Sequence, residues 1–486
     1  MKFDLGTHIE DPPPDPAPIN PGPDWRRPHL LTPLVEAWKG TAVVLVSGFR
    51  PLRDLISELP ADVEERFYLN SVTGILGLIV VAALIGVAVA WLSWFMTRYT
   101  LGREAVHLRH GVLWRNRRQA RLDRLQAVDV IQPFLARLVG LAEIRVEVAG
   151  ASGTAVRIAY LKEAEAQRLR NQILARSAGL EVDENAPAPE APENELFQVP
   201  FGRLIGSLVM SANVIVPVLL IVLFGVIAIL VRSPEPLLAN FPIVFVLGIQ
   251  VWQRLNRGAF FRAATSPDGV RITHGLLEQR RQTVPPGRIQ TVRFTQPLLW
   301  RPFDWWRVEM NIAGYGQANP SQALVNDLLP VGKRDDALRA LWLVVPDFSL
   351  DDTGAVLNHA MVGRDEVGGF TTSPRRVRPI DPLVYRSTAF RLTPPALLIR
   401  RGRLTRKMMV VPHERIQSIS AYQGPLQRLL RVAKFQIDTT LGPVLPIIPH
   451  LDVGTAAQLV EEQTERSRQA RARDRSERWM AADGRD

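Results

Sequence analysis

Pro285–Asp304 reads PPGRIQTVRFTQPLLWRPFD, and the chain spells it three times. Arg121–Gly140 is RLDRLQAVDVIQPFLARLVG, and Pro412–Arg431 is PHERIQSISAYQGPLQRLLR. The match extends upstream to a glycine in HLRHGVL, RITHGLL and LIRRGRL, namely Gly111, Gly275 and Gly402. Counting from that glycine without a gap, offset 13 is Arg124, Arg288 or Arg415. Offset 15 is Gln126, Gln290 or Gln417, and offset 21 is Gln132, Gln296 or Gln423. Offset 26 is Arg137, Arg301 or Arg428. Five identities at fixed offsets in three places mark one module used three times.

Each copy has the same local grammar. AVHLRHGVLWR and ALLIRRGRLTR alternate about a glycine, as two short strands of a hairpin do. RLQAVDVIQ, RIQTVRFTQ and RIQSISAYQ alternate apolar and polar residues, the signature of a half-buried strand. A connection and a further strand follow, and then an amphipathic helix such as KEAEAQRLRNQILARS. The module is therefore several antiparallel strands and one helix in about 80–90 residues, which suits a bent sheet or partial barrel plugged by that helix.

Between the copies lie apolar runs. Leu69–Met96 contains no charged side chain, and a bilayer span needs roughly 20 apolar residues. Leu204–Gln250 reads as a hairpin of two spans broken by RSPEP, with ELFQVPFGRL as an interfacial lead-in. Thr32–Phe49 carries Glu36 and Lys39, so three or four spans remain open. The basic segments after Met96 and after Gln253 are separated by the hairpin. They fall on one side, which their arginine excess assigns to the cytoplasm.

Charge and composition narrow the function. The 486-residue chain has a net charge of +11 and no cysteine, which excludes disulfides, thiolate metal sites and cysteine nucleophiles. No G-x-S-x-G, H-E-x-x-H, P-loop or G-x-G-x-x-G motif occurs. The firm spans hold no ionisable residue, which argues against a pump or channel. The expectation is a non-enzyme with no catalytic, cofactor or metal site, and no nucleic-acid partner.

The hairpin basic residues Arg400, Arg401, Arg403, Arg406 and Lys407, with Arg115, Arg117 and Arg118 in the first copy, are candidates for anionic lipid headgroups. A solvated face is the blander and stronger reading. The repeated Arg and Gln are read as fold requirements, bonding the turn or rim of their own unit. Trp300, Phe303, Trp305 and Trp306 are read as core, and Phe260 and Phe261 as interfacial.

Paired spans followed by R-x-G-x-L, R-[IL]-Q and Q-x-x-L-x-R resemble the bacterial membrane-flanked PH-like domain family, in its three-copy form. The resemblance implies an α+β membrane protein. Transmembrane helices would accompany three PH-like antiparallel β-sandwich or barrel units, each closed by a C-terminal helix. The expected layout starts with a disordered tail over 1–24 and a membrane segment over 25–97, holding the span 69–96 and a candidate span 32–56. PH-like domain 1 follows at 98–178, a Pro/Ala/acidic linker at 179–198 and the hairpin at 199–256. PH-like domain 2 then occupies 257–346, a linker 347–384, PH-like domain 3 385–468 and a charged tail 469–486. The resemblance implies no enzymatic activity; the expected role is a scaffold in the plasma membrane that holds protein partners, another small PH-like membrane protein being one candidate, in envelope homeostasis or stress resistance. An anionic-lipid sensor or lipid-handling protein is the alternative.

Overall fold

The structure is a computed structural model. It describes residues 25–35, most of 86–111, 80 and 84, 116–122, 125–148, 156–177, 194–266, 269–284, 287–313, 326–345 and 347–474. The tail over 1–24, most of the segment from 36 to 85, most of the acidic linker and the last twelve residues lie outside it. The chain divides into two compact units, Met1–Gly102 with Val106–Arg118, and Arg103–Ala105 with Gln119–Asp486.

The first copy opens with β1 (Arg98–Leu101), β2 (Ala105–His110) and β3 (Asn116–Arg121), a three-stranded sheet in that order. It continues with β4 (Leu125–Gln132), α1 (Phe134–Leu138), β5 (Leu141–Val148), β6 (Val156–Lys162) and α2 (Glu163–Ser177). The second copy begins with β7 (Asn194–Gln198), α3 (Phe201–Val209), α4 (Ala212–Val231) and α5 (Glu235–Gly258). Then come β8 (Arg262–Ser266), β9 (Gly269–His274), β10 (Gln279–Val284), β11 (Ile289–Gln296), β12 (Trp305–Ile312), β13 (Asp327–Lys333) and α6 (Arg334–Trp342). A connecting helix α7 (Thr353–Val362) leads to the third copy. That copy is β14 (Thr371–Thr372), β15 (Ala389–Leu392), β16 (Ala396–Arg401), β17 (Arg406–Pro412), β18 (Ser418–Tyr422), α8 (Pro425–Leu429), β19 (Val432–Asp438), β20 (Ile447–Asp452) and α9 (Val453–Arg473).

Each module is thus a leading set of strands, then three further antiparallel strands and a helix. In the third copy Phe390, Leu397, Ile399, Met409 and Val411 face Phe435, Ile437, Ile448 and Leu451 in one buried core, with Leu459 of α9 sealing it. Period-2 alternation places these side chains on one face. The opposite face of β16 and β17, with Leu398, Met408 and Val410, joins a second core that runs through the second copy. Both faces are buried, which is why ALLIRR and KMMVVP read as nearly continuous apolar runs.

Every sheet is antiparallel, and among the described residues none closes into a barrel. The copies are not self-contained. One seven-stranded sheet has the order β6-β5-β4-β10-β9-β8-β7, and another β13-β12-β11-β17-β16-β15-β14. The trailing strands of one copy and the leading strands of the next form a single sheet.

The inserts are equally regular. ELFQ, expected as part of an interfacial lead-in and linker, is strand β7, paired with β8 across the whole apolar hairpin. The linker expected over 347–384 likewise contains α7 and β14. Val199 N donates to Phe261 O at 2.9 Å, and its counterpart Ser373 N donates to Thr388 O at 3.2 Å. In the first copy, Arg26 and Tyr99 exchange two backbone hydrogen bonds of 2.9 Å. Trp94 Nε1 donates to Pro28 O at 3.0 Å beside them. The second and third copies therefore each have a strand, an insert and a returning strand, and in the first an isolated bridge at Arg26 meets the strand that begins the module. The insert is apolar between β7 and β8, and a short turn segment between β14 and β15.

α4 and α5 are long and apolar enough to cross a bilayer, and only 6% of each span is buried inside the protein. Such helices are not core helices of a soluble domain. Of the expected span Leu69–Met96, the described part includes an apolar helix over Gly86–Met96; most of Thr32–Phe49 lies outside the described residues.

Candidate functional site: the module junctions and their edges

The repeat glycines sit at the hairpins and have positive φ, +113° at Gly111, +116° at Gly275 and +95° at Gly402. A Cβ at Gly275 would run into Glu278 O, and one at Gly402 into Thr405 O. Glycine is required there because L side chains avoid this backbone region.

The repeated polar residues do more than brace their own unit. Gln296 Oε1 accepts from Arg406 Nη1 of the next copy at 3.0 Å, while its amide nitrogen donates to Asp304 Oδ1 at 3.2 Å. Arg301 reaches the next hairpin, donating to Arg403 O and to Leu404 O, the latter at 3.1 Å. Arg288 Nη2 donates back to Leu125 O of the preceding copy at 3.3 Å. Gln290 bonds locally, its amide nitrogen within 3.5 Å of Gly287 O and 3.4 Å of Arg288 O. Sequence reasoning assigned all of these to the home unit. The structure instead makes several of them ties between units, because the neighbouring copy covers their sheet edge.

The strand pairing at the two junctions has one register. Gln132 pairs with Gln279 and Val128 with Thr283 in the first. Gln296 pairs with Arg406 and Val292 with Val410 in the second. In both, offset 21 of one copy meets offset 4 of the next.

Buried polar groups lock these seams. Asp129 of β4 and Arg280 of β10 form a buried ion pair. Arg170 of α2 donates to Thr283 of β10. Asn311 Nδ2 donates to Val444 O at 2.7 Å while Val444 N donates to Asn311 Oδ1 at 2.9 Å, joining β12 to the third copy.

In the third copy the corresponding residues turn outward. Gln417, Gln423 and Arg428 are exposed, although Gln423 Nε2 still donates to Val432 O at 3.0 Å. Arg415 bonds Asp474 at 3.0 Å. In the first copy Gln132 is buried and Arg137 exposed. Arg124 and the Gln126 side chain lie outside the described residues.

The headgroup candidates separate. Arg400 is 2% exposed and donates to His359 O at 3.0 Å and to Asp365 O, with its guanidinium 4.6 Å over the Phe370 ring. Burial pulls its pKa down to about 10. Arg406 is spent on Gln296. Arg401 and Lys407 are half-buried, and burial lowers the Lys407 pKa. Arg403, with Leu404 beside it, is exposed at the hairpin tip. Arg117 and Arg118 lie exposed on β3, and Arg115 is outside the described residues.

A cleft of about 590 Å³ opens between α2 and the strands of the second copy, lined by Arg170, Arg262, Arg271, Arg281, Glu195 and Gln282 among others. Its polar, arginine-rich wall suits an anionic group. No group of side chains with metal-ligand geometry occurs among the described residues.

Trp306 and Trp300 are buried, and Trp300 Nε1 donates to Ser207 O of α3 at 3.2 Å. Phe303 is exposed but stacks on Trp305 at 4.7 Å. Phe260 is exposed and stacks on Phe201 at 6.0 Å, whereas Phe261 is buried.

Fold and junctions together define a string of PH-like β-modules joined edge to edge, a class built for binding. The bacterial PH domain family model matches residues 55–177, 205–339 and 375–467, and the chain belongs to that family in a three-copy form. Comparison with curated proteins and with solved structures returned no match.

Proposed function

We propose that the chain is a non-enzymatic, multi-pass membrane scaffold that carries three PH-like modules on the cytoplasmic face of the plasma membrane and holds protein partners there. The observation that carries this reading is the pairing of strands that flank apolar inserts. β7 and β8 are sheet neighbours, yet α4 and α5 lie between them in sequence. A segment that leaves one strand and returns to its neighbour crosses a bilayer an even number of times. The Arg26–Tyr99 bridge applies the same constraint to the segment containing Leu69–Met96. A crossing there needs a second one before it, and Thr32–Phe49 is the apolar stretch available. Four spans, with every module segment on one side, is the arrangement this supports, and the arginine excess assigns that side to the cytoplasm. Such a placement suits a role in envelope homeostasis or stress resistance.

The absence of cysteine makes the test direct. Single cysteines at Ser233, in the turn between α4 and α5, and at Ala61 should react with an impermeant maleimide on intact cells. One at Ser266 should react only after permeabilisation. Labelling of Ser266→Cys in intact cells defeats the topology. Pull-downs from mild detergent, with and without residues 385–468, then identify the protein partners.

The exposed Arg403–Leu404 tip and the arginine-lined cleft favour a second reading, in which the modules bind anionic lipid headgroups. In that case Arg401→Glu with Arg403→Glu abolishes the preference of the full chain for anionic over zwitterionic vesicle lipids. Under the scaffold reading that double variant leaves partner capture unchanged.

A further inference from the structure

Three leading-hairpin strands, β3, β10 and β17, all lie between offsets 4 and 10 from the repeat glycine, and three receiving strands, β4, β11 and the shorter β18, all lie between offsets 14 and 21. β4 takes β10, and β11 takes β17. What remains is β18, the outer strand of the sheet β18-β19-β20, and β3, the outer strand of β1-β2-β3. Among the described residues no strand lies on the far side of either.

We propose that β18 receives β3 of a second copy of this chain, so that the protein associates head to tail through the same seam it uses twice internally.

Three observations commit the edge to this occupant. The first is register. The internal rule, in which the two offsets sum to 25, pairs Ser420 with Arg118, Ala421 with Arg117 and Tyr422 with Asn116 of the partner copy. The second is the burial deficit. The receiving strand is almost wholly buried in β11, with Gln296 at 1% exposure, whereas Ser418, Ala421 and Tyr422 of β18 are exposed, Tyr422 at 52%. On β3, Asn116, Arg117 and Gln119 are exposed as well. A bare strand edge is a template for another strand. The third is the gripping arginine. Arg301 holds the carbonyls of the following hairpin. Its counterpart Arg428 lies exposed on α8, and its guanidinium makes no hydrogen bond to another described residue, only its backbone being bonded within the helix. It is the group that would hold the partner's Gly111 hairpin.

The third copy's own β17 is not available to β18, since its outer edge is taken by β11. Different strands meet on the two sides of such a contact, so it is heterologous and builds rings or open strings rather than two-fold dimers. The inference stands on strand pairing alone. It survives if the membrane topology fails, and its failure would leave the scaffold reading intact.

The experiment uses two full-length chains with different tags, mixed in mild detergent, one carrying Ser420→Cys and the other Arg118→Cys. Arg118 is exposed and Ser420 partly exposed, so both positions accept a small side chain, and matched melting curves check the fold. Oxidation is expected to give a mixed-tag disulfide dimer, with roughly fivefold less from the misregistered pair Ser420→Cys and Arg121→Cys, because disulfide geometry demands close Cα atoms. Adding Arg428→Ala is expected to lower the yield about two- to tenfold, the value of one ordinary net hydrogen bond at an exposed site. No mixed-tag product overturns the proposal, as does equal yield from the misregistered pair. A chain carrying both cysteines that closes only on itself, as a monomer, also overturns it, and so does an unchanged yield with Arg428→Ala.

Discussion

At the residue scale, the repeat is a record of backbone and edge chemistry. Gly275 and Gly402 hold φ values of +116° and +95° with a carbonyl oxygen where a Cβ would stand. Gly275→Ala is therefore expected to cost about 1–3 kcal/mol, read as a lower midpoint in thermal or denaturant unfolding. His413 shows a different kind of constraint. It is buried after β17, with Nε2 donating to Thr393 O at 2.9 Å and Nδ1 accepting from Gln463 Nε2 at 2.7 Å. The ring thus ties the leading strands of the third module to its C-terminal helix. Burial holds its pKa below the ordinary value of 6.5. Burial and the neighbouring Arg280 hold His274 down at about 4. In both cases the unfolded chain takes up the proton more readily than the folded one. Their contribution to stability is complete above pH 6.5 and is lost as pH falls, for His274 down to about pH 4. The melting temperature should therefore decline on acidification below pH 6.5, and His413→Gln should make that decline shallower. A slope unchanged by the substitution would show that His413 binds its proton equally well in the folded and unfolded chain.

At the scale of elements, the informative feature is the seam between one copy's receiving strand and the next copy's hairpin. Asp129 and Arg280 meet there with almost no solvent access. Removing one partner strands the other charge in the interior, so Asp129→Ala is expected to destabilise the chain by about 3–5 kcal/mol. The double change Asp129→Ala with Arg280→Met should recover most of that loss, because no unpaired charge remains. Equilibrium unfolding of both variants decides the point. The strands and glycine turns at this seam were legible in the sequence, since period-2 alternation and a glycine between short strands are local signals. The seam itself was not. Alternation states which face is buried but not which strand fills the edge hydrogen bonds. That is why Gln296 and Arg301 were assigned to their own unit although they bond the next one. β7 and β14 were missed for a related reason, as each is short and is parted from its partner by an insert. Arginines of the expected lipid patch divided by burial. Nothing in IRRGRLTRK distinguishes Arg400, buried under α7's C-terminus, from Arg403 at the tip.

For the whole molecule, the apolar helices are passengers of the sheet rather than part of its support. The third copy shows this, since β14 and β15 pair across a short turn segment where β7 and β8 pair across α4 and α5. The boundary of the dispensable part can be drawn from contacts. Leu204 and Leu208 of α3 are buried in the core beneath Trp300, and Leu276 and Leu277 donate to Asn256 O and Oδ1 at the end of α5, so these flanks belong to the module. Further out, the helices touch solvent or lipid along nearly all their length. Asn213 Nδ2 and Gln250 Oε1 lie 3.1 Å apart, which brings the two ends of the apolar stretch within reach of a short linker. Excising residues 214–249 and joining the ends with about four Gly/Ser residues, each spanning up to ~3.5 Å, should leave both seven-stranded sheets in place. Hydrogen exchange is the measurement, with protection of β8–β13 expected to match that of the intact chain. If protection of β8 and β9 collapses while that of β16 and β17 persists, the hairpin is a structural support of the second module, and the equivalence between its insert and the turn of the third copy is lost.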